Sequence, residues 1–353
     1  MTDAEPRTGR AGSGEWTRPT VERVAEGVHR VPLPLEGDAL RAVNVYVLVH
    51  DGGATLIDSG WSFGAGMDTL EAALGTLDLS MSQIDRVLAT HFHRDHYTLA
   101  VRMRQRFGTR IALGAGDRES VEGVLAGRSD GRRSWLRHWG AEALRPDLDA
   151  LPAEPPSVYE PPDSWIEGPV DVVVGDRTLR AVPTPGHTRG HHVFADVDHG
   201  LLFAGDHVLP EITPSIGVEV SPAELPLGDF LSSLQLIREL PDLDLLPAHG
   251  PLGRRSHRRA GELLDHHRLR LAATRAAVGR GPRSAYEVAR LLPWTRRERH
   301  FTDLDPRNRV LAVSETAAHL DVLVRDGALD AGSDDGVRVY TEPLPEVTPC
   351  AQP

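Results

Sequence analysis

Seventeen histidines are spread along the 353 residues, and the densest group of donors is the hexapeptide His91-Phe92-His93-Arg94-Asp95-His96. Neutral imidazoles and carboxylates are the usual ligands of zinc and similar divalent ions. Two histidines at i and i+2, just past a strand, can point to the same side. Asp95 and His96 then enter the first turn of a following helix. Three further donors come later in the chain: His187 in the turn Thr184-Pro185-Gly186-His187-Thr188, Asp206 in Ala204-Gly205-Asp206, and His249 in Pro247-Ala248-His249-Gly250. One histidine in a turn is ordinarily a surface residue. Here each donor stands at the end of an expected strand, and coincidence explains that poorly.

The elements that must position these residues can be read from apolar spacing. "VERVAEGVHRVPLPL" and "AVNVYVLVHDGGATLID" carry β-branched residues and a Gly-Gly turn, so strands are expected from Val21 to Asp58. Residues 64–78 have helical spacing. "QIDRVLAT" (83–90) is a short apolar strand running into the hexapeptide, and "YTLAVRMRQRFG" is a helix with Gly108 as its C-cap. "TRIALGAG" is a strand. Residues 117–168 are rich in Arg, Trp and Pro and read as a helical, then Pro-rich, insertion. Strands resume at 170–184 and 191–206, followed by a helix at 227–240 and a strand at 243–250. Two blocks of strands, each accompanied by helices, predict two sheets packed together with helices outside. After Pro251 the order becomes helix, helix, helix and β-wing, which resembles a small winged-helix module over 256–342. Residues 1–17 read as a disordered leader and 343–353 as a flexible tail, leaving 18–255 as the main domain.

Composition narrows the function. The formal net charge of −12 argues against a protein that coats nucleic acid or anionic membrane over its whole surface. Locally, 254–299 holds thirteen Arg against four Asp or Glu. None of the 39 basic residues is Lys, so Schiff-base and Lys-nucleophile chemistry is excluded. The one cysteine, Cys350, cannot form an intramolecular disulfide or a thiolate cluster, which fits a reducing cytoplasm. No run approaches the roughly 18 apolar residues of a membrane helix, so no membrane association is expected.

With these residues in view, the sequence resembles the metallo-β-lactamase superfamily, whose signature is HxHxDH followed by a single His, an Asp and a last His. All are present in order, over about residues 20–255. The resemblance implies an αββα sandwich in which His91, His93 and His187 hold one metal ion. Asp95, His96 and His249 would hold a second, with Asp206 bridging. Asp58, in "LIDSG", matches the family's Asp at an early strand end, with the implied role of orienting a ligand histidine. His191 lies near the motif as a candidate for contact with substrate or with a ligand. One departure stands out: the family often has "DHxGG", whereas this chain has Tyr97-Thr98-Leu99 after His96, which predicts a bulkier or rearranged pocket.

The mechanism implied is hydrolysis. Two divalent ions about 3.5–4 Å apart share a water and lower its pKa, with Asp95 orienting it or passing on its proton. Zinc is the first expectation for an all-His/Asp set, with iron or manganese as alternatives. Trp135, Trp139 and Trp165 are candidates for an apolar lid over an acyl chain, or else for anchors of the insertion to the core. The superfamily handles thioesters, esters, lactones, β-lactams, phosphodiesters and RNA, so ligands alone do not name the substrate. A small thioester or ester is the first expectation. An endoribonuclease using the Arg-rich run is second, a lactone or β-lactam hydrolase is a further option, and an iron oxygenase and a non-catalytic binding protein rank last. The C-terminal module could equally serve homodimerisation.

Overall fold

The computed structural model describes residues 15–127, 130–149, 155–219, 221–279, 281–295 and 297–343. Of the expected leader only Glu15–Thr17, a 3-10 turn, falls within these residues, and of the expected tail only Pro343; the rest of both lies outside them.

Seven strands make the first sheet in chain order: β1 (Glu22–Ala25), β2 (Val28–Pro34), β3 (Ala42–His50), β4 (Gly53–Ile57), β5 (Ile84–Leu88), β6 (Arg110–Gly114) and β7 (Ser164–Ile166). β1 to β4 pair antiparallel, and β4 to β7 pair parallel. The second sheet comprises β8 (Val170–Val174), β9 (Arg177–Pro183), β10 (His192–Asp196), β11 (Leu201–Gly205), β12 (Asp244–Pro247) and β13 (Arg254–Arg255). Its neighbours are antiparallel except β11 and β12.

Side chains alternate across a strand, and here both faces are buried. Val43, Val45 and Val47 of β3 pack with α1 (Gly66–Gly75) and α2 (Arg94–Phe107), while Tyr46 and Leu48 point to the second sheet. In β11, Leu202 and Ala204 pack with α6 (Pro226–Glu239) and α7 (Ser256–Val278), while Leu201 and Phe203 enter the layer between the sheets. Tyr46 and Phe203 meet there edge to face at 5.3 Å. The result is the expected αββα sandwich. Gly108 caps α2 at φ +78°, as the sequence predicts.

The insertion forms α3 (Arg118–Leu125), α4 (Asp130–His138) and α5 (Arg145–Asp149) before its Pro-rich part adds β7 to the sheet edge. β7 is too short, at three residues, to show periodicity in the sequence. After α7 come β14 (Arg283–Ser284), α8 (Ala285–Ala289), α9 (Pro306–Arg325), β15 (Asp330–Asp334) and β16 (Val337–Thr341), with β16 central in a three-stranded sheet. Ser284 and Glu287 form a capping box that starts α8. Leu136, Trp139, Leu144 and Leu148 of the insertion share one apolar cluster with Val278, Val288, Val313, Leu320 and Tyr340. The insertion and the C-terminal elements therefore fold on each other. No helix among the described residues is long and apolar enough to cross a membrane.

Candidate metal centre

Five loops leave the C-terminal ends of strands at one rim of the sandwich. Asp58 follows β4, the hexapeptide follows β5, His187 follows β9, Asp206 follows β11 and His249 follows β12. A strand end frees the backbone from its ladder, so loops there can turn side chains towards one point.

The structure brings all seven candidate donors together. Nδ1 of His93 lies 2.9 Å from Nε2 of His91 and 3.0 Å from Nε2 of His187. Nε2 of His249 lies 3.4 Å from Asp95 and 3.3 Å from Oδ1 of Asp206, and Nε2 of His96 lies 3.7 Å from each carboxylate. Asp206 stands between the groups, because its other oxygen, Oδ2, is 3.5 Å from Nε2 of His187. The ligand atoms of His91, His93 and His187, of His91, His96 and Asp206, and of Asp95, His96 and His249 each lie within 4.8 Å of one another.

The outer ring atoms fix which nitrogen faces inward. Nδ1 of His187 donates to the carbonyl of Ser215 at 2.7 Å, Nδ1 of His249 to that of Ala42 at 2.7 Å, and Nδ1 of His96 to Asp58 at 2.8 Å. A carbonyl or carboxylate can only accept, so each Nε2 presents a bare lone pair when the ring is neutral. Nε2 of His96, Nε2 of His249 and Oδ1 of Asp206 are buried without a hydrogen-bond partner. Buried polar atoms ordinarily find one. Convergent, unpartnered nitrogen and oxygen donors fit a divalent cation, with the outer hydrogen bonds that metal-binding imidazoles use.

The electrostatics agree. Burial would lower the pKa of His96, but Asp58, Asp95 and Asp206 outweigh it and raise the imidazole to about 10. Burial works against His249 too, yet Asp206 and Asp95 raise it. Burial would raise the Asp95 carboxyl, and His96 and His249 instead hold it well below the usual range. Burial, with His96, His93, His187 and His191 nearby, pushes His91 well down. The pocket thus concentrates negative charge around His96 and keeps a proton there, a compensation that a cation would supply more fully.

Asp58 has φ +61°, an uncommon conformation that Asp tolerates better than most residues. Its Oδ1 accepts from the Thr90 amide at 2.7 Å, and Oδ2 accepts from the Thr90 hydroxyl at 3.1 Å and from His96. His191 is fully committed: Nε2 accepts from the Asp206 amide at 3.2 Å, so Nδ1 carries the proton and faces Thr184 Oγ1 at 2.8 Å. With both ring nitrogens occupied, His191 supports Asp206 and is not placed to bind substrate. Gly205, at φ +51°, is required beside it, since a Cβ would lie 2.7 Å from His191 Nε2 and from Thr90.

The tryptophans stand elsewhere. Trp139 is buried in the cluster shared with the C-terminal elements and stacks on Trp135 at 5.8 Å, while Trp165 packs on the first sheet's outer cluster beneath Arg118. Of the two readings for Trp135 and Trp139, the packing has the anchor. The residues after His96 point inward. Tyr97 donates to the Glu160 carbonyl, Thr98 to that of Arg94, and Leu99 fills the space beside Gly60 and Gly66. Their bulk goes to the core and not to the pocket.

Sequence reading missed two features. Asp117, buried at the end of the β6 loop, accepts from the Phe92 amide (3.0 Å), the Gly190 amide (2.8 Å) and the Thr188 hydroxyl (3.3 Å). It ties the His91–His93 loop to the His187 loop, and burial raises its carboxyl to about 7 despite those bonds. The only signal was another carboxylate after a strand, in "LGAGD". Second, Phe63 is 44% exposed on the loop after Asp58, edge to face with Trp61 at 5.7 Å, and Arg94 covers Trp61 at 4.6 Å. Phe63 lies five residues beyond Asp58, in the loop that follows β4.

Several known proteins resemble this chain. The hydroxyacylglutathione hydrolase of Rhizobium johnstonii is 28% identical over 213 residues, 60% of this chain and 63% of that protein, so the chain matches less than two thirds of its length. A probable metallo-hydrolase of Bacillus subtilis is 27% identical over 317 residues, 85% of this chain and 92% of that protein. The crystal structure of a metallo-beta-lactamase family protein from Thermus thermophilus superposes with a TM-score of 0.73 at 27% identity, covering 91% of this chain and 100% of that one. The family model for the metallo-beta-lactamase superfamily matches residues 38–249, which span every candidate ligand, and the chain belongs to that superfamily.

Proposed function

We propose that the chain is a hydrolase that holds two zinc ions and cleaves a thioester or ester of a small acyl substrate. The observation that carries this reading is the donor set, in which buried lone pairs of His96, His249 and Asp206 converge without partners. His91, His93 and His187 would hold one ion, Asp95, His96 and His249 the other, and Asp206 would contribute to both. Iron or manganese suits the same nitrogen and oxygen donors. Bound ions of this kind supply a water acidic enough to ionise near neutral pH and polarise the scissile carbonyl.

The protein's own residues do the rest. Asp58 and the carbonyls of Ser215 and Ala42 lock three imidazoles with Nε2 inward. Asp95 orients the attacking water and carries its proton towards the leaving group. Phe63 and Trp61 offer an apolar wall for the acyl part.

Among substrates, a thioester has the support of the Rhizobium relative, since an acylglutathione is a thioester. The C-terminal order of helix, strand, two helices and a hairpin supports reading that part as a winged-helix-like module. Several arginines of the 254–299 run face protein carboxylates: Arg254 and Arg258 pair with Glu262, Arg255 with Asp242 and Asp244, and Arg275 with Glu342. That pairing favours a small substrate over RNA. A cytoplasmic setting suits a chain with one cysteine.

The test is a panel of chromogenic thioester, ester, lactone, β-lactam and phosphodiester substrates on metal-loaded protein. Thioester or ester turnover that a chelator abolishes and zinc restores is expected. Turnover of the phosphodiester alone, with RNA binding that falls steeply with salt, would replace this reading with the nuclease.

A further inference from the structure

Segment 207–217 joins Asp206 to Ser215, the residue whose carbonyl orients His187, and it has no helix or strand of its own. Its backbone carbonyls must still find donors. They find them on β13, α7 and α9. Arg254 donates to the Pro210 carbonyl at 3.1 Å. Arg259 of α7, itself buried, donates to those of Leu209 at 2.6 Å and Ile212 at 2.9 Å. Ser314 of α9, also buried, has its hydroxyl 3.0 Å from the Ile216 carbonyl and 2.9 Å from that of Gly217. Gly217 has φ +78°, and a Cβ there would lie 3.1 Å from Ser314 Oγ, so helix and loop are in close contact.

We infer that α9 is a brace for the metal centre, with Ser314 a positioning residue that acts through Ser215 on His187. The Ser314 hydroxyl, its one proton shared between two acceptors, holds the carbonyls of the two residues that follow Ser215. It thereby sets the direction of the carbonyl that receives the His187 Nδ1 proton, and with it the aim of Nε2. Arg259 holds the same segment nearer Asp206. α9 is also linked to the His91–His96 segment through Asp38, because Arg307 pairs with Asp38 at 3.1 Å and Asp38 pairs with Arg94, the neighbour of Asp95, at 2.7 Å. The C-terminal elements are therefore part of the site's framework, whatever the substrate.

This rests on the proposed metal site, and two readouts on the full chain keep the two ideas separable. The first is zinc titration against a competing chelator, with the cobalt absorption spectrum as a geometric signature. Ser314→Ala is expected to weaken one of the two equivalents about tenfold, leave the other unchanged and shift the cobalt bands. Ser314→Thr, which keeps the hydroxyl, is expected to restore both. The second is amide hydrogen exchange without metal, where Ser314→Ala is expected to speed exchange within 207–217 and the His187 loop. Wild-type protein that binds no metal overturns the metallohydrolase reading alone. Wild-type affinities and spectrum in Ser314→Ala, or unchanged exchange in that segment, overturn the brace.

Discussion

Asp58 and His96 form a buried hydrogen bond of 2.8 Å, in which the imidazole Nδ1 donates to a carboxylate that Thr90 also holds. The pair fixes the ring so that Nε2 faces Asp95 and Asp206. Asp58→Asn can keep the Thr90 amide contact through its oxygen, but its NH2 then faces His96 Nδ1, which cannot donate to it, so the ring loses this hydrogen bond or its tautomer. Metal affinity is expected to fall about 10–100-fold with the fold retained. Chelator competition, with circular dichroism as the folding control, measures both.

Asp95 is the residue assigned to proton handling as well as to ligation. Asp95→Asn keeps its size and is expected to leave the fold intact while kcat falls by about two orders of magnitude or more. Steady-state kinetics at saturating zinc separates lost chemistry from lost metal. An unchanged kcat would falsify the role given to Asp95.

Phe63 tests the acyl wall. It is exposed and is not one of the proposed ligands, so Phe63→Ala should change neither metal content nor stability appreciably. With longer acyl chains KM is expected to rise several-fold, because burying each CH₂ contributes about 0.8 kcal/mol at most. With an acetyl thioester KM should barely move. An equal effect on both would place the substrate elsewhere.

A pH effect is expected away from the site. His267 of α7 and His319 of α9 lie 3.1 Å apart, with Phe230, His266, Arg270 and Glu315 around them. Nδ1 of His319 donates to the Glu315 carbonyl, so its Nε2 accepts from His267, and both rings are neutral. Burial first, then neighbouring positive groups, lowers His267 to about 2, and burial lowers His319 to about 4. Unfolded histidines take up protons below about 6.5, and the folded pair does not. The stability they contribute is therefore present above pH 6.5 and is lost as pH falls towards 4, by up to about 1.4 kcal/mol per unit for each group. Urea unfolding of metal-free protein at pH 7, 6 and 5 should show this slope, and His319→Gln should reduce it. Equal slopes in the two proteins would count against the pair.

The family, the sandwich and the candidate donors were legible in the residues because each candidate ligand stands beside a short apolar strand whose pattern is local. His91 to His96 sit between β5 and α2, and Gly108 ends that helix as its φ demands. Asp117 was not legible: its partners Phe92, Thr188 and Gly190 come from two distant loops, and a carboxylate after a strand is common in any sequence. The same holds for Trp139, whose burial depends on residues more than a hundred positions later. Ser314 is the extreme case, a small hydroxyl residue in the middle of a helix whose role lies in carbonyls about a hundred residues away. Local periodicity and residue chemistry by themselves determined which groups could act. Only the tertiary structure decided which second groups aim them, because hydrogen-bond partners are chosen by packing across the chain and leave no spacing in the sequence.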